Sequence, residues 1–355
     1  MTENTVFPLV IYDELRLAEL TRKRSGETRL GEMVKTIPWH QRENWETALS
    51  EMPGRYVLLG LPEDIGVRAN YGRGGAYSAW IPSVTTILNT QSNPSLRGDE
   101  IILLGHIDFS AGMEELKHLH PAAPETIQRA RELTAMIDES VYPVIEKIIA
   151  AGKEAIIIGG GHNNAYGNLR GLSAAMKLKG HSSIACINCD AHSDLRPLEG
   201  RHSGNGFSYA LHEGYLQKYA MVGLHELFNM DSVFEKIDGD ERLDASWFEE
   251  IFVREEYSFK DAVERALNFT KGLPVGLEID LDTIQNIPSS AKTSSGISTI
   301  QARQLVHRIA TSGDVHYLHL AEAAPVLSHI KTDLKTGKLI AYLVADYIKA
   351  RNQKN

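Results

Sequence analysis

The chain has 355 residues, of which 43% are hydrophobic and 23% are charged, values that are ordinary for a soluble globular protein. A formal net charge of -9 argues against nucleic acid as a main partner, and no apolar stretch approaches the roughly 20 residues of a membrane-spanning helix. Residues 1–8 lack a signal-peptide pattern, and Cys186 and Cys189 form neither a disulfide framework nor a zinc motif, so we expect a cytoplasmic protein.

The first part of the chain differs from the rest. Residues 1–53 are rich in charge and contain two tryptophans, with a short helix predicted at residues 14–19. We interpret them as an N-terminal extension that packs on the main domain or on a partner subunit. Residues 54–355 then form one larger domain, in which apolar strand-like runs alternate with helical patterns.

The predicted elements follow one another in a regular order. Strands are expected at residues 56–59, 100–104, 154–158, 183–187, 220–224, 274–279 and 315–321. Helices are expected at residues 124–153, 164–179, 259–271, 298–311 and 338–350. Pro143 should kink or interrupt the first of these helices, and Ser298 is a plausible cap of the fourth. This alternation indicates an α/β fold with three layers, in which helices cover both faces of a mostly parallel sheet.

Two glycine- or aspartate-rich segments follow predicted strands. Gly159-Gly160-Gly161-His162 follows the strand at residues 154–158, and Asp190-Ala191-His192-Ser193-Asp194 follows the strand at residues 183–187. If the second segment continues as a strand, its two aspartates and its histidine point to one side. Such charged groups are costly to bury without compensation, and a divalent cation would compensate them.

A third segment completes the set. Asp280 and Asp282 close the run at residues 273–282, and their spacing of two again predicts that they face one side. The pooled candidate ligands are His162, Asp190, His192, Asp194, Asp280 and Asp282. Two imidazoles and four carboxylates exceed one tetrahedral zinc site and suit two oxygen-preferring ions, for which manganese is a good candidate.

In this order, the three motifs resemble the metal motifs of the ureohydrolase superfamily, which includes arginase, agmatinase and formimidoylglutamase. The segment 60–76 resembles that family's first strand-to-helix loop, and His319-Leu320-Ala321-Glu322 resembles a late strand ending in a substrate-binding glutamate. The resemblance covers roughly residues 55–350. It implies an arginase-like fold, a catalytic domain over residues 54–355, two Mn²⁺ ions, a homo-oligomer, and a small amidine or guanidine substrate.

The resemblance also assigns roles to the ligands. Asp190 and Asp280 would bridge both ions, with His162 and Asp194 completing one set and His192 and Asp282 the other. The bound metals would lower the pKa of a water to about 7. Asp194 would accept a hydrogen bond from the resulting hydroxide.

Other residues are candidates for substrate binding and proton transfer. Glu322 would pair with a cationic amidinium, although a structural ion pair is an alternative. Arg196 would bind a substrate carboxylate, or else form a surface salt bridge. In the loop after Asp194, Ser203 aligns with the position of a proton-donating histidine, and His202 beside it is a candidate donor or a solvated loop residue. Asn205 of that loop is a further candidate for contacting substrate. Arg68, Asn70 and Arg73 could line the mouth or order the first loop.

The predicted function is hydrolysis of N-formimidoyl-L-glutamate to L-glutamate and formamide, which Arg196, the first-loop pattern and Ser203-Gly204 favour. The alternative in the same class is an arginase or another guanidino-acid hydrolase that releases urea. A non-catalytic metal-binding homologue is the alternative of a different class. A nucleotide-binding loop at residues 159–161 is disfavoured because the phosphate-loop lysine is missing. Asn163-Asn164, the segment 283–286 and the loop 294–297 depart from the family pattern and leave substrate identity open.

Overall fold

The structure is a computed structural model that describes residues 7–328 and 334–353. Nine strands form one sheet in the order β1-β3-β2-β4-β9-β8-β5-β6-β7, and every described pairing is parallel except that of β1 with β3. The strands are β1 (Leu9–Ile11), β2 (Tyr56–Gly60), β3 (Ile101–Ile107), β4 (Glu154–Ile158), β5 (Ala185–Cys189), β6 (Lys218–Leu224), β7 (Leu243–Trp247), β8 (Val275–Asp280) and β9 (Val315–Ala321).

Helices connect these strands. They are α1 (Glu14–Leu20), α2 (Trp45–Glu51), α3 (Ile65–Ala69), α4 (Trp80–Leu88), α5 (Ser110–Lys117), α6 (Pro124–Ala150), α7 (Asn164–Leu178), α8 (Gly206–His212), α9 (Asp231–Gly239), α10 (Phe248–Phe252), α11 (Phe259–Phe269), α12 (Thr299–Ser312) and α13 (Leu334–Gln353).

Two apolar cores lie on opposite faces of the sheet. Side chains of α4, α11, α12 and α13 pack on one face, and side chains of α6, α7 and α8 pack on the other. The central strands are therefore buried on both sides, which explains why β4 is an unbroken apolar run after its first residue. The predicted three-layer α/β/α architecture with a mostly parallel sheet is confirmed.

All seven predicted strands exist, with ends shifted by a few residues. Two strands were not predicted, the edge strands β1 and β7. β1 has only three residues, and β7 (Leu-Asp-Ala-Ser-Trp) carries polar residues, so neither shows a strong apolar run. Edge strands have less apolar surface to bury, and this weakens their signal in the sequence.

Pro143 does not interrupt α6, contrary to the expectation that it would kink or break the helix. α6 extends over 27 residues with Pro143 inside it. Buried residues flank the proline, among them Val141 and Val144, so packing on the core offsets the lost backbone hydrogen bond. Ser298 caps α12 as expected, because its side chain accepts a hydrogen bond from the Gln301 N–H.

The segment before β2 lies against the rest of the chain. β1 pairs with β3 at the edge of the sheet, and Leu17, Leu20 and Leu30 belong to the core beside α4. The division at residue 53 into an extension and a catalytic domain stays a prediction, as does the homo-oligomer. Among the described residues, no helix is long and apolar enough to cross a membrane.

Candidate metal centre

Four neighbouring strands bring the candidate ligands together. β4, β9, β8 and β5 are adjacent and parallel, so their carboxyl ends meet at one edge of the sheet. His162 follows β4, Asp190 follows β5, Asp280 ends β8 and Glu322 follows β9. Segments that are far apart in sequence therefore converge at one place.

The first cluster surrounds His162, whose side chain is 1% exposed. Its Nδ1 lies 3.1 Å from a carboxylate oxygen of Asp190, 3.0 Å from one of Asp194 and 3.3 Å from one of Asp280. Neither ring nitrogen makes a hydrogen bond of acceptable geometry within the described chain. Two buried carboxylates and the partly buried Asp194 lie beside an unbonded imidazole nitrogen, so this donor set fits a divalent metal.

The second cluster shares Asp190 with the first. His192 Nδ1 lies 3.5 Å from Asp190 Oδ1 and 3.5 Å from Asp282 Oδ2. In each cluster, one potential ligand atom per residue lies within 4.8 Å of all the others. The six candidate ligands thus form two adjacent groups, consistent with two ions.

The side chains of both aspartate pairs converge as expected, but the reason is not strand alternation. β5 ends at Cys189, and Asp194 lies in a loop with a φ of 51°. Asp282 lies in a 3₁₀ turn after β8, where its N–H donates to Asp280 Oδ1 over 2.8 Å. Backbone N–H groups of the loops donate to Asp190 Oδ1 and Asp280 Oδ1 and orient those two carboxylates. Asp194, a non-glycine residue at positive φ, stores local strain.

The glycine-rich loop before His162 has no room for side chains at Gly160 and Gly161. Gly160 has a φ of 78°, and a Cβ there would lie 2.7 Å from the Leu61 carbonyl oxygen. The buried Glu63 carboxylate accepts from the Gly161 N–H over 2.9 Å and from the Asn164 side chain over 2.6 Å. Asn164, one of the departures from the family pattern, therefore ties this loop to Glu63.

A buried pair behind His162 was not predicted. Glu278 Oε2 lies 3.4 Å from His162 Nε2 and 2.5 Å from His319 Nδ1, and Tyr317 donates to Glu278 Oε1 over 2.8 Å. Glu278 precedes Asp280 by two residues in β8, a spacing that could have revealed it. A carboxylate on the far nitrogen of a metal-binding histidine fixes the tautomer that presents the other nitrogen to the metal.

Burial and mutual repulsion perturb the carboxylates. Burial raises the pKa of Asp280 to about 7, with a further contribution from Asp190. It also raises the pKa of Glu322 to about 8. Burial alone would also raise the pKa of Asp190, but the contacts with His162 and His192 outweigh burial and lower this pKa. Without metal, the cluster therefore retains protons that a divalent cation would displace.

A cavity of about 320 Å³ opens above the cluster. Glu322 is 5% exposed and lines it, with Oε1 accepting from the His162 N–H over 2.8 Å. Arg196 and Ser203 also line it, and Asn70 joins them by accepting from Arg196 over 2.8 Å and donating to Ser203 over 3.3 Å. Phe228, which stacks on His192 at 5.4 Å, forms an apolar wall.

Neither His202 nor Asn205 is among the residues that line this cavity. His202 is fully buried, and its Nδ1 accepts from the Gly204 N–H over 3.1 Å. Burial, with nearby arginines, lowers its pKa to about 3, so it is neutral near pH 7 and poorly suited to donate a proton. Asn205 accepts from Arg201 over 2.7 Å and is equally buried.

Of the candidate residues in the first loop, one lines the cavity and another does not. Asn70 lines the cavity, whereas Arg68 pairs with Asp64 at 2.7 Å and lies outside it.

The cavity lining also includes residues that the sequence did not single out, among them Asn229, Met230, Ser290 and Ala291. They come from loops without any recognisable spacing of polar residues.

The nine-stranded sheet and the two candidate ligand clusters at its edge are typical of hydrolases of the arginase type. The family model described as "Arginase family" matches residues 55–348, and the chain belongs to that family. It is a hydrolase of the ureohydrolase superfamily, whose substrates are linear amidines and related small molecules.

Two of the relatives that match this chain have a more specific name within the family, formimidoylglutamase. The chain is 28% identical to a formimidoylglutamase of Chromobacterium violaceum over 323 residues, covering 86% of this chain and 94% of that protein. It is 27% identical to a formimidoylglutamase of Streptococcus gordonii over 277 residues, covering 76% and 77%.

Solved structures share the fold. Trypanosoma cruzi formiminoglutamase with Mn²⁺₂ superposes with a TM-score of 0.69 at 18% identity, covering 93% of this chain and 100% of that one. Formimidoylglutamase from Bacillus subtilis gives a TM-score of 0.69 at 16% identity, covering 94% and 95%.

Proposed function

We propose that this enzyme is a formimidoylglutamase that hydrolyses N-formimidoyl-L-glutamate to L-glutamate and formamide with two manganese ions. The observation that carries the proposal is the convergence of six metal-ligand candidates beneath Glu322, with Arg196 lining the same cavity. The curated relatives with this activity, at 27% and 28% identity, support the choice of substrate.

The ligands would divide between the ions largely as the two clusters do, although Asp280 lies in the first cluster only. His162 and Asp194 would hold one ion, and His192 and Asp282 the other, with Asp190 and Asp280 shared. Asp190 belongs to both clusters, which supports its bridging role. When bound, the two ions supply a water of lowered pKa and stabilise the negative charge that develops during hydrolysis.

The chain's own carboxylates position the substrate and move the proton. Glu322 is buried beside His162 and binds the amidinium group, placing its carbon above the cluster. The water oxygen adds to this carbon, and Asp194 takes the proton that the water loses. Asp194 returns that proton to the leaving nitrogen as the C–N bond breaks, and the hydroxyl proton of the adduct passes to the departing amine, so formamide and the protonated amine form without another reactant.

The number of positively charged side chains in the cavity favours a second candidate function. Among the described residues that line it, Arg196 is the only arginine or lysine. One guanidinium can hold one carboxylate bidentately, whereas N-formimidoylglutamate carries two. A guanidino acid with a single carboxylate, which would release urea, fits this count.

The test is a panel of substrates with manganese-loaded protein. N-formimidoylglutamate, arginine, agmatine and a guanidino monocarboxylate are compared by the release of formamide or urea. We expect the highest kcat/KM with N-formimidoylglutamate, and urea from a guanidino acid without formamide would favour the second candidate. Equal hydrolysis by wild type and Asp190→Ala would instead mean that the cluster around Asp190 is not catalytic, as expected of a non-catalytic homologue.

A further inference from the structure

A second concave site adjoins the active-site cavity. It has a volume of about 350 Å³, and Arg196 and Met230 line both cavities. We call it the cationic chamber, and its polar lining comprises Arg196, Ser208, His212, Ser232, Lys236 and Arg242. Nothing in the proposed function uses the side chains beyond Arg196.

The cationic chamber departs from the charge of the whole protein. The chain has a net charge of -9, yet the described lining of the chamber contains two arginines and a lysine but no aspartate or glutamate. Asp240 pairs with Arg242 at 2.7 Å and neutralises part of this charge. The remaining positive charge in a concave site attracts anions.

The ammonium group of Lys236 has no partner among residues 7–328 and 334–353. It is half-buried on α9, and it forms no hydrogen bond or ion pair within the part of the chain that the structure describes. Burial lowers the pKa of Lys236, and the nearby Arg242 acts in the same direction although Asp240 opposes it. An anion in the chamber would supply the missing acceptor.

Ser208 gives a second, independent indication. It lines the chamber from α8 and is 5% exposed, and its hydroxyl oxygen is buried without a hydrogen-bond partner among the described residues. Buried hydroxyl groups are nearly always hydrogen-bonded, so this lone hydroxyl is a free donor that rotation of its side chain would turn toward an oxyanion in the chamber.

We propose that the cationic chamber is a binding site for a small oxyanion, held by Lys236, Arg196 and Ser208. Carboxylate and sulfate-like groups share this chemistry. The oxyanion is either the distal carboxylate of a dicarboxylate substrate that reaches past Arg196, which rests on the proposed function, or a free anion that binds beside the substrate.

The first experiment measures binding without substrate. Sulfate is titrated into manganese-loaded protein by calorimetry for wild type, Lys236→Ala, Lys236→Arg and Ser208→Ala, with the exposed Lys260→Ala as a matched control. We expect about tenfold weaker binding for Lys236→Ala, because a hydrogen bond to a charged group contributes about 1.5 kcal/mol or more. Lys236→Arg should restore binding, Ser208→Ala should weaken it, and Lys260→Ala should match wild type.

The second experiment separates the two sources of the anion. If the substrate supplies it, Lys236→Ala raises KM for N-formimidoylglutamate but not for a guanidino monocarboxylate, and sulfate competes with the dicarboxylate only. If a free anion binds, both KM values stay unchanged without sulfate, and Lys236→Ala abolishes the effect of sulfate on the rate.

One result overturns the proposal. This is sulfate binding of the same strength in wild type, Lys236→Ala and Ser208→Ala, together with unchanged KM values. Because the calorimetric titration needs no turnover, it also distinguishes failure of the chamber from failure of the proposed activity.

Discussion

The floor and the mouth of the active-site cavity are built in different ways. His162, Asp190 and Asp280 of the floor are at most 3% exposed and are attached to the ends of central strands. Arg196 at the mouth is exposed and is held through its contact with Asn70 on another loop. On the proposed function, the sheet edge would hold the metal ligands, whereas loop side chains would select the substrate.

The largest effect should come from the floor. Asp194→Asn removes both a ligand candidate and the proposed proton carrier, so we expect kcat to fall by about a thousandfold or more, since several kcal/mol of stabilisation are lost. Steady-state rates and bound manganese per chain are measured together.

The surface variant Asp99→Asn provides the control, because Asp99 pairs with Arg97 far from the ligand clusters in sequence and outside the cavity lining. Wild-type activity in Asp194→Asn would remove Asp194 from the mechanism.

The next largest effect should come from Glu278, which contacts His162 from behind the floor of the cavity. Glu278→Gln weakens the contact that orients His162, and we expect manganese affinity to fall by about 10- to 100-fold. Affinity is measured by calorimetric titration of metal-free protein.

Glu154→Gln is the matched control for Glu278→Gln. Glu154 is also a buried strand glutamate, but it pairs with Arg351 at 3.0 Å rather than with His162. It should lower thermal stability without changing manganese affinity. Equal losses of affinity in both variants would mean that Glu278 has only a general structural role.

Manganese binding should depend on pH because carboxylates on the floor of the cavity have raised pKa values. In metal-free protein the pKa of Asp280 is raised to about 7, whereas an unfolded aspartate titrates near about 3.9. Between these values the folded chain holds a proton that the unfolded chain lacks, so its stability falls as pH rises. Burial opposes a raised pKa at His162 and His192, but the carboxylates beside them outweigh burial and raise both pKa values, and burial raises the pKa of Asp282. Manganese displaces the protons that these groups and Asp280 hold, so manganese affinity should rise with pH through about 7.

Thermal unfolding with and without manganese, from about pH 5 to about pH 8, tests this prediction. The increase in Tm that manganese causes should grow with pH. A constant increase across the range would contradict it.

The smallest effect is expected at His202, next to the mouth. His202 does not line the cavity, so His202→Asn, which retains an acceptor for the Gly204 N–H, should change kcat by less than about threefold, or about 0.7 kcal/mol. Steady-state kinetics across pH check this. A large loss of kcat that added imidazole restores would return His202 to the role of proton donor.

Much of the fold was predictable from the sequence because buried parallel strands appear as continuous apolar runs. β4 is an example after its first residue, and the candidate ligand His162 follows it in the next loop. Local caps such as Ser298 were predictable for a similar reason, since the signal lies within a few residues. The edge strands β1 and β7 and the continuity of α6 were not, because they depend on packing between distant segments.

The sequence alone determined which polar side chains follow the strands, and hence the six candidate ligands and Glu322, because residue type and strand ends are local properties. Only the tertiary structure placed Glu278 behind His162 and turned His202 and Asn205 away from the cavity. It also brought Ser208 and Lys236 to one chamber beside Arg196. The direction of a loop side chain depends on hydrogen bonds and packing with segments distant in sequence, and no local pattern records these contacts.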